Sequence, residues 1–201
     1  DDAGSMLRLL SGVTEAETEK EIARFLDYQP LALASAAIYV RQVQEGNLSN
    51  FGWNDYSRKL EKEQQRTTEN LLSETNQDYP ETMTAAITIA LEKAMSSDRV
   101  IDHLFTFLSL CAPKPILKDI VIDYIMEMEE EFEDKDTIVV KISRCPLLLF
   151  DEEESSVCIR VHGVVHCVVN SVTKKFAKDK QIETVLGAVL SFFRFKDQDC
   201  G

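Results

Sequence analysis

Apolar residues recur three or four positions apart along the first third of the chain. Residues 3–11, 14–26, 30–44 and 53–65 each show this spacing, with polar residues between the apolar ones, and it is typical of helices that bury one face. Pro30 begins the third segment, at a position where a helix loses no hydrogen bond by lacking an amide proton. The pattern therefore predicts four short helices that form a small bundle.

A polar stretch separates this bundle from the rest of the chain. Residues 73–82, SETNQDYPET, contain a proline and no periodic apolar pattern, which is typical of a connection between two folded units. We therefore predict a helical bundle over residues 1–75 and a second unit over residues 76–178. Residues 179–201 are then expected to begin a C-terminal helical or repeat region.

The second unit opens with helical patterns. Four segments before residue 146 have apolar residues at helical spacing, namely 82–95, 99–112, 113–132 and 137–145. Asp98 lies where an N-terminal cap of the second segment is expected, and Pro115 lies near the start of the third. These segments predict further helices before any strand.

Two short strands are predicted next. The runs PLLLF at 146–150 and VCIRVH at 157–162 are rich in apolar residues, and an acidic turn joins them. Residues 163–178 return to helical spacing. Helices followed by a hairpin make a winged-helix-like unit. The predicted fold class is therefore mainly α, a small helical bundle followed by a winged-helix-like domain with a short β-hairpin.

The charge of the chain excludes several kinds of partner. The 201 residues include 35 acidic and 22 basic side chains, for a net charge of -13. Nonspecific binding to nucleic acid needs clustered Lys and Arg that displace counterions from phosphates, and an acidic membrane surface would repel this chain. We therefore predict neither a nucleic-acid partner nor a membrane partner.

Sequence features also indicate a compartment. No apolar run approaches the roughly 20 residues that span a bilayer, and the first residues, DDAGSML, lack the features of a signal peptide. The odd number of cysteines without paired spacing predicts free thiols, at Cys111, Cys145, Cys158, Cys167 and Cys200. The expected location is cytoplasmic. Both ends of the sequence suggest an excerpt of a longer protein.

Cysteine and histidine cluster in VCIRVHGVVHC, at residues 157–167. His162 and His166 would share a helix face, but no second tight pair of ligands completes a tetrahedral metal site. A nucleophilic cysteine would need an orienting residue and an oxyanion site, and neither can be named. We predict no metal site and no catalytic residue. His162 is interpreted as a polar residue at a strand-to-helix junction, and His166 as a satisfied core or rim histidine.

The chain lacks the residues typical of two further functions, DNA recognition and phosphate binding. A winged helix can read DNA, but the nominal recognition helix has few cations and the acidic run EMEEEFEDKD at 127–136 lies beside it. No GxxxxGK[ST] loop and no glycine-rich loop after a strand occurs. The chain is therefore expected to lack a phosphate cradle of its own.

Two motifs, in this order, resemble a known family. LDYQPLAL at residues 26–33 lies in the helical bundle, and IRVHGVV at 159–165 ends the predicted winged helix. Together they resemble the C-terminal half, the ARC subdomains, of an NB-ARC module. That module is the nucleotide switch of STAND-class ATPases in apoptosome and plant immune-receptor proteins. The resemblance covers residues 3–178.

The resemblance implies two nucleotide-binding residues. In that family a proline before the PLAL helix contacts the nucleotide base, and Pro30 occupies this position. The family's Met-His-Asp motif matches Val161-His162-Gly163, so His162 is expected to reach the β-phosphate of ADP in the closed state. The P-loop, the Walker B acids and the arginine sensor would precede residue 1. The chain alone is therefore predicted not to be an enzyme and not to bind nucleotide, and ADP or ATP is expected only in the full-length parent.

The resemblance also implies a function. The chain would be the regulatory portion of a molecular switch that senses ADP or ATP in an upstream P-loop domain and controls signalling oligomerisation in apoptosis or innate immunity. Its expected partners are that P-loop domain, a downstream repeat or sensor domain, protein partners and copies of itself. The alternative is an acidic protein-interaction adaptor, helical with a winged helix, that never contacts nucleotide. A winged-helix transcription factor is a poorer option.

Overall fold

The structure is a computed structural model. It describes residues 2–46, 50–71, 81–128, 134–153, 156–173, 185–187 and 189. Within these residues the chain forms two compact units, which divide between Lys93 and Ala94. The described part of the first unit consists of helices, whereas the second combines helices with a small sheet.

The first unit contains the four predicted helices of the bundle. They are α1 (Asp2–Ser11), α2 (Ala16–Phe25), α3 (Pro30–Glu45) and α4 (Trp53–Leu71). α1 packs against α3 and α2, and α4 packs against α2 and α3. The prediction of a small helical bundle is therefore confirmed.

Small residues on α3 allow this close packing. Ala32, Ala36 and Ala37 are completely buried, and a side chain that ends at Cβ lets a neighbouring helix backbone approach closely. Val40 and Val43, further along the same helix, are also buried. α3 is the central helix of the first unit, since its apolar surface is covered over most of its length.

Aromatic side chains join α3 to α4. Trp53 and Tyr56 of α4 are completely buried, and their ring centroids lie 5.9 Å apart with the rings nearly perpendicular. Tyr39 of α3 packs against Tyr56 at 5.7 Å and against Phe51 at 5.8 Å. Such tilted and edge-to-face pairs add to the area that the rings bury. This cluster fixes the start of α4 against the bundle.

The chain passes from the first unit to the second within α5 (Glu81–Ser97). All seven residues from Ala85 to Leu91 are buried, as expected for a helix that is covered on every side. The boundary between the two units lies further along the chain than the polar stretch at residues 73–82. α5 is one continuous helix that contains this boundary. Residues 72–80 lie outside the described residues, and the domain ranges 1–75 and 76–178 stay predictions.

The second unit has the element order of a winged helix. Its elements are α6 (Arg99–Leu110), β1 (Ile116–Leu117), α7 (Lys118–Met128), α8 (Lys135–Ser143), β2 (Leu148–Glu153), β3 (Ser156–Val161) and α9 (Gly163–Thr173). The strands form an antiparallel sheet in the order β1-β3-β2. α6 packs against α7, α8 and α9. The predicted fold class, mainly α with a bundle and a winged-helix-like unit, is confirmed.

The prediction of a helix over residues 113–132 is wrong at its start. Ile116 and Leu117 form β1, which pairs with Ile159 and Cys158 of β3, and α7 begins only at Lys118. Pro115 therefore precedes a strand rather than starting a helix, and the sheet has a third strand besides the predicted hairpin. A two-residue strand gives no periodic signal, and its pairing partner lies about forty residues away in the sequence, so local spacing could not reveal it.

Side-chain caps begin two helices of the second unit. The amide of Val100 donates to Asp98 Oδ1 at 2.9 Å, which confirms the predicted cap of α6. Asp98 also forms an ion pair with Lys141 of α8 at 3.0 Å. Asp134 caps α8 by accepting from the Asp136 amide at 3.0 Å. These caps satisfy amides that have no intrahelical partner.

The predicted C-terminal region at 179–201 lies almost entirely outside the described residues. Residues 185–187 and 189 are helical. None of the described helices combines the length and the apolar character needed to cross a membrane.

Candidate functional site

Pro30 follows a tight turn between α2 and α3. At the end of α2 the amide of Tyr28 donates to Ala23 O at 2.9 Å, and the amide of Asp27 donates to Arg24 O at 3.1 Å. This pair of hydrogen bonds is the Schellman arrangement that closes a helix C-terminus. Gln29 then adopts an extended conformation as the N-cap residue, and Pro30 is the first residue of α3.

The turn holds two residues in the left-handed region. Asp27 has a φ of 49° and Tyr28 a φ of 55°, a conformation that normally favours glycine. Asp tolerates it better than most residues, but a bulky Tyr adopts it rarely. Buried Ala23 and Leu26 anchor the turn. Strained backbone of this kind persists only where the surrounding structure determines the path of the chain.

Exposed apolar side chains flank Pro30. Pro30 is exposed, and the side chains of Phe25 and Tyr28 remain 39% and 50% exposed. Apolar and aromatic surface at a turn between helices can contact a planar ring or an apolar side chain of another molecule. The turn is therefore suited to contact a ligand or partner, in addition to starting α3.

His162 lies at the junction between β3 and α9, as predicted. Its side chain is exposed, and its Nδ1 lies 3.4 Å from the amide of Val164, which donates to it. Its carbonyl oxygen accepts from the His166 amide at 3.0 Å. His162 is therefore the N-cap residue of α9.

This capping bond has a chemical consequence. A ring nitrogen that accepts a hydrogen bond carries no proton, so the proton of the neutral imidazole is on Nε2. Nε2 of His162 can therefore donate to a ligand beside the N-terminus of α9. The free amides and the helix dipole at an N-terminus favour negative charge.

His166 is satisfied within the protein. Its Nε2 lies 3.0 Å from Cys111 O, and its Nδ1 lies 3.2 Å from Asn170 Nδ2. Because an amide nitrogen is a donor, Asn170 donates to Nδ1 and the ring donates from Nε2 to the carbonyl. The interpretation of His166 as a satisfied core or rim histidine is confirmed. Both ring nitrogens of His166 are therefore hydrogen-bonded to groups of the protein itself.

The cysteines among the described residues form no disulfide. They are Cys111, Cys145, Cys158 and Cys167, and Cys200 lies outside the described residues. Burial raises the pKa of Cys111 to about 11 and that of Cys145 to about 11. A thiol with a raised pKa is a poor nucleophile because the thiolate is scarce. Among the residues that the structure describes, no three metal-binding side chains lie together.

Sequence reasoning missed a cluster around Tyr124 of α7. Its ring packs against Phe107 at 5.0 Å and against His103 at 6.5 Å between centroids. The hydroxyl of Tyr124 is buried and has no hydrogen-bond partner among the described residues. Burial, together with the negative charges of Asp102 and of Cys111 in its thiolate form, raises the pKa of Tyr124 to about 12. We call Asp102, His103, Phe107, Cys111 and Tyr124 the Tyr124 cluster.

A sequence signal for part of this cluster did exist. Asp102 and His103 interrupt an otherwise apolar helix, RVIDHLFTFL, and both are only partly exposed. Burial raises the pKa of the Asp102 carboxyl, while neighbouring His103 opposes this shift. Nothing local, however, indicates that Tyr124 meets them. The cluster contributes to the packing of α6 on α7.

The two residues implied by the resemblance belong to different units. Pro30 is in the first unit and His162 is in the second. Both lie at helix N-termini, at the first residue of α3 and at the cap of α9. The common nucleotide cleft that the resemblance implies stays a prediction.

Comparison of the chain with protein-family models and with curated proteins finds no match.

Proposed function

We propose that this chain is the regulatory ARC portion of an NB-ARC-type nucleotide switch that acts in the cytoplasm. The observation that carries the proposal is the order of elements together with the positions of two residues. A helical bundle precedes a winged helix. Pro30 starts the third helix of the bundle, and His162 caps the helix that follows the wing.

The local chemistry of each residue supports the role that the resemblance gives it. Pro30 is exposed beside Phe25 and Tyr28, which is suitable surface for a nucleotide base. His162 Nε2 is available as a donor beside the positive end of α9, which is suitable for a phosphate oxygen. ADP bound by the upstream P-loop domain would therefore stabilise a closed arrangement of the two units through Pro30 and His162.

Exchange of nucleotide would then change the arrangement. A ligand shifts a conformational equilibrium only as far as its affinity differs between the two states. ADP would favour the closed state, and ATP would release the winged helix and permit oligomerisation for signalling in apoptosis or innate immunity. The partners in this proposal are the upstream P-loop domain, a downstream repeat or sensor domain, and other copies of the protein.

The test uses the full-length parent and a matched pair of cap variants. His162→Ala and Asp134→Ala each remove an exposed N-cap from a helix of the second unit, so their effects on stability should be similar. Only His162→Ala should speed ADP release, by about ten-fold for the loss of one hydrogen bond to a charged group. Release is measured by chasing a fluorescent ADP analogue with unlabelled ADP.

Three outcomes would contradict the proposal. The first is a parent sequence without a GxxxxGK[ST] loop upstream of residue 1. The second is equal ADP release in the two variants. The third is micromolar binding of ADP with Mg²⁺ to the 201-residue chain alone in a calorimetric titration, where we expect no measurable heat because the chain has no phosphate cradle.

The alternative function, a protein-interaction adaptor, is favoured by one specific observation. The winged-helix unit exposes apolar side chains on α8 and β2, where a DNA-reading protein would place cations. Val140 is 44% exposed, Leu149 is 40% exposed and Phe150 is 38% exposed. Under this alternative, truncating these side chains would abolish partner binding, and nucleotide would have no effect on it.

A further inference from the structure

The strand β2 lies at an edge of the sheet. β3 is the central strand, with β1 on one side and β2 on the other. β2 is six residues long and pairs with β3 from Leu148 to Glu153. Among the described residues no strand pairs with its other side. An edge strand of this length presents backbone donors and acceptors that a further strand can use.

The direction of these backbone groups follows from one hydrogen bond. The amide of Leu148 donates to Cys145 O at 3.3 Å in the preceding turn, and therefore faces away from β3. In an antiparallel strand the amide and carbonyl of one residue face the same side, and the side alternates along the strand. Phe150 and Glu152 therefore also direct their amides and carbonyls away from β3.

The same edge exposes apolar side chains. Leu149 and Phe150 lie on opposite faces of the strand, and both remain about 40% exposed. Natural sheets often protect an edge with charged side chains, proline or a bulge. β2 has no proline and pairs regularly with β3 throughout, so the protection that it keeps is the acidic run that begins at Asp151.

Charge defines the partner that this edge can accept. β2 continues from Phe150 into Asp151, Glu152 and Glu153. The one cation that faces this strand from β3, Arg160, is already paired with Asp151. A second copy of the chain would bring another net charge of -13 to the interface, and like charges across paired strands are unfavourable. The edge therefore favours a basic partner.

We propose that β2 binds an extended segment of a partner protein in which apolar residues alternate with Lys or Arg, and that this segment pairs with β2 as an added strand. The main chain of the partner would bond to the outward groups of Phe150 and Glu152. Because side chains alternate along a strand, its apolar side chains would lie on one face, over Phe150, and its cations on the other face, beside Leu149 and Asp151. This inference does not depend on the proposed nucleotide switch.

The probe is a fluorescent, acetylated Lys-Val-Lys-Val-Lys-Val-Lys amide, titrated with the 201-residue chain while fluorescence anisotropy is recorded. We expect saturable binding, about ten-fold or more weaker when alternate amides of the peptide are N-methylated, because strand addition depends on main-chain hydrogen bonds. A Glu-Val peptide of the same length should not bind, because the acidic edge repels it.

Variants of the chain locate the site. Phe150→Pro removes an amide that faces away from β3, and should abolish binding without removing a hydrogen bond of the β2–β3 pair. Leu9→Ala is the control, because Leu9 is an exposed apolar residue of α1, in the other unit, and it should leave binding unchanged. If circular dichroism shows that Phe150→Pro fails to fold, Phe150→Ala replaces it and should weaken binding about ten-fold.

Several results would overturn the proposal. Equal binding of the N-methylated peptide would show attraction by charge alone. An equal effect of Leu9→Ala and the Phe150 variants would place the peptide elsewhere. A dimer in analytical ultracentrifugation that Phe150→Pro dissociates would assign the edge to a second copy of the chain.

Discussion

Tyr124 shows how one buried residue couples packing to proton binding. Its ring fills space between α6 and α7, against Phe107 and His103, while its hydroxyl has no hydrogen-bond partner among the described residues. A buried, unsatisfied hydroxyl opposes folding, because water would solvate it in the unfolded chain. The ring stabilises the second unit, and the hydroxyl detracts from that stability.

Replacing this hydroxyl is expected to stabilise the protein. Tyr124→Phe keeps the ring and removes the polar atom, so the free energy of unfolding at neutral pH should stay equal or rise by up to about 1 kcal/mol. Urea unfolding followed by circular dichroism measures the change. Tyr28→Phe, at a half-exposed position, is the control and should change nothing. A loss of stability in Tyr124→Phe would show that the hydroxyl does have a partner.

The same variant should be less sensitive to alkali. The pKa of Tyr124 is raised from 10 to about 12 in the folded protein, so between these pH values the unfolded chain releases a proton that the folded protein retains. Stability linked to this group is therefore complete below pH 10 and falls as the pH rises toward 12. Tyr124→Phe should retain roughly 1–2 kcal/mol of the stability that the native chain loses across this range.

At the scale of elements, local patterns predicted most helices but missed strand β1. α1 to α4 each carry enough turns for apolar spacing to repeat, and Asp98 marks the start of α6 with its own hydrogen bond. β1 consists of Ile116 and Leu117, and only its pairing with β3 defines it. Long-range pairing leaves no trace in local spacing, so this strand could not be predicted.

The candidate site also contains features that local sequence predicts and one that it does not. His162 and His166 could be interpreted from their places at the junction and on the following helix, because a cap position and a helical repeat are local features. The left-handed turn before Pro30 could not be predicted, since neither Asp27 nor Tyr28 is the glycine that normally indicates it. α2 and α3 both pack against α1, and this packing fixes the path of the turn.

This turn should gain stability from a glycine. Asp27 occupies the position of the Schellman motif where glycine is preferred, so Asp27→Gly is expected to raise the free energy of unfolding by roughly 0.5–1 kcal/mol. Arg24→Gly is the matched control, because Arg24 is exposed in the last turn of α2, and there glycine should lower it by about 1 kcal/mol. Chemical denaturation of both variants measures the difference. A similar loss in both would show that Asp27 makes a contact that outweighs its backbone strain.

At the scale of the whole molecule, net charge matters more than the exposed ion pairs. The exposed pairs Lys20–Glu17 and Arg58–Asp55 are of a kind that contributes little. The net charge of -13, by contrast, acts over the whole surface and opposes the folded state by mutual repulsion. The same field would attract the basic segment proposed for β2.

Added salt is therefore expected to stabilise the protein. Raising NaCl from about 0.05 to about 0.5 M shortens the screening length to a few ångströms and weakens repulsion among the acidic side chains. The thermal midpoint should rise by a few degrees, since roughly 1 kcal/mol corresponds to 2–4 °C in a domain of this size. Differential scanning calorimetry at a series of NaCl concentrations measures this. A midpoint that falls with salt would mean that attractive pairs outweigh the net repulsion. The same salt series should weaken peptide binding at β2, so one ionic-strength range would strengthen the fold while it weakens the proposed contact.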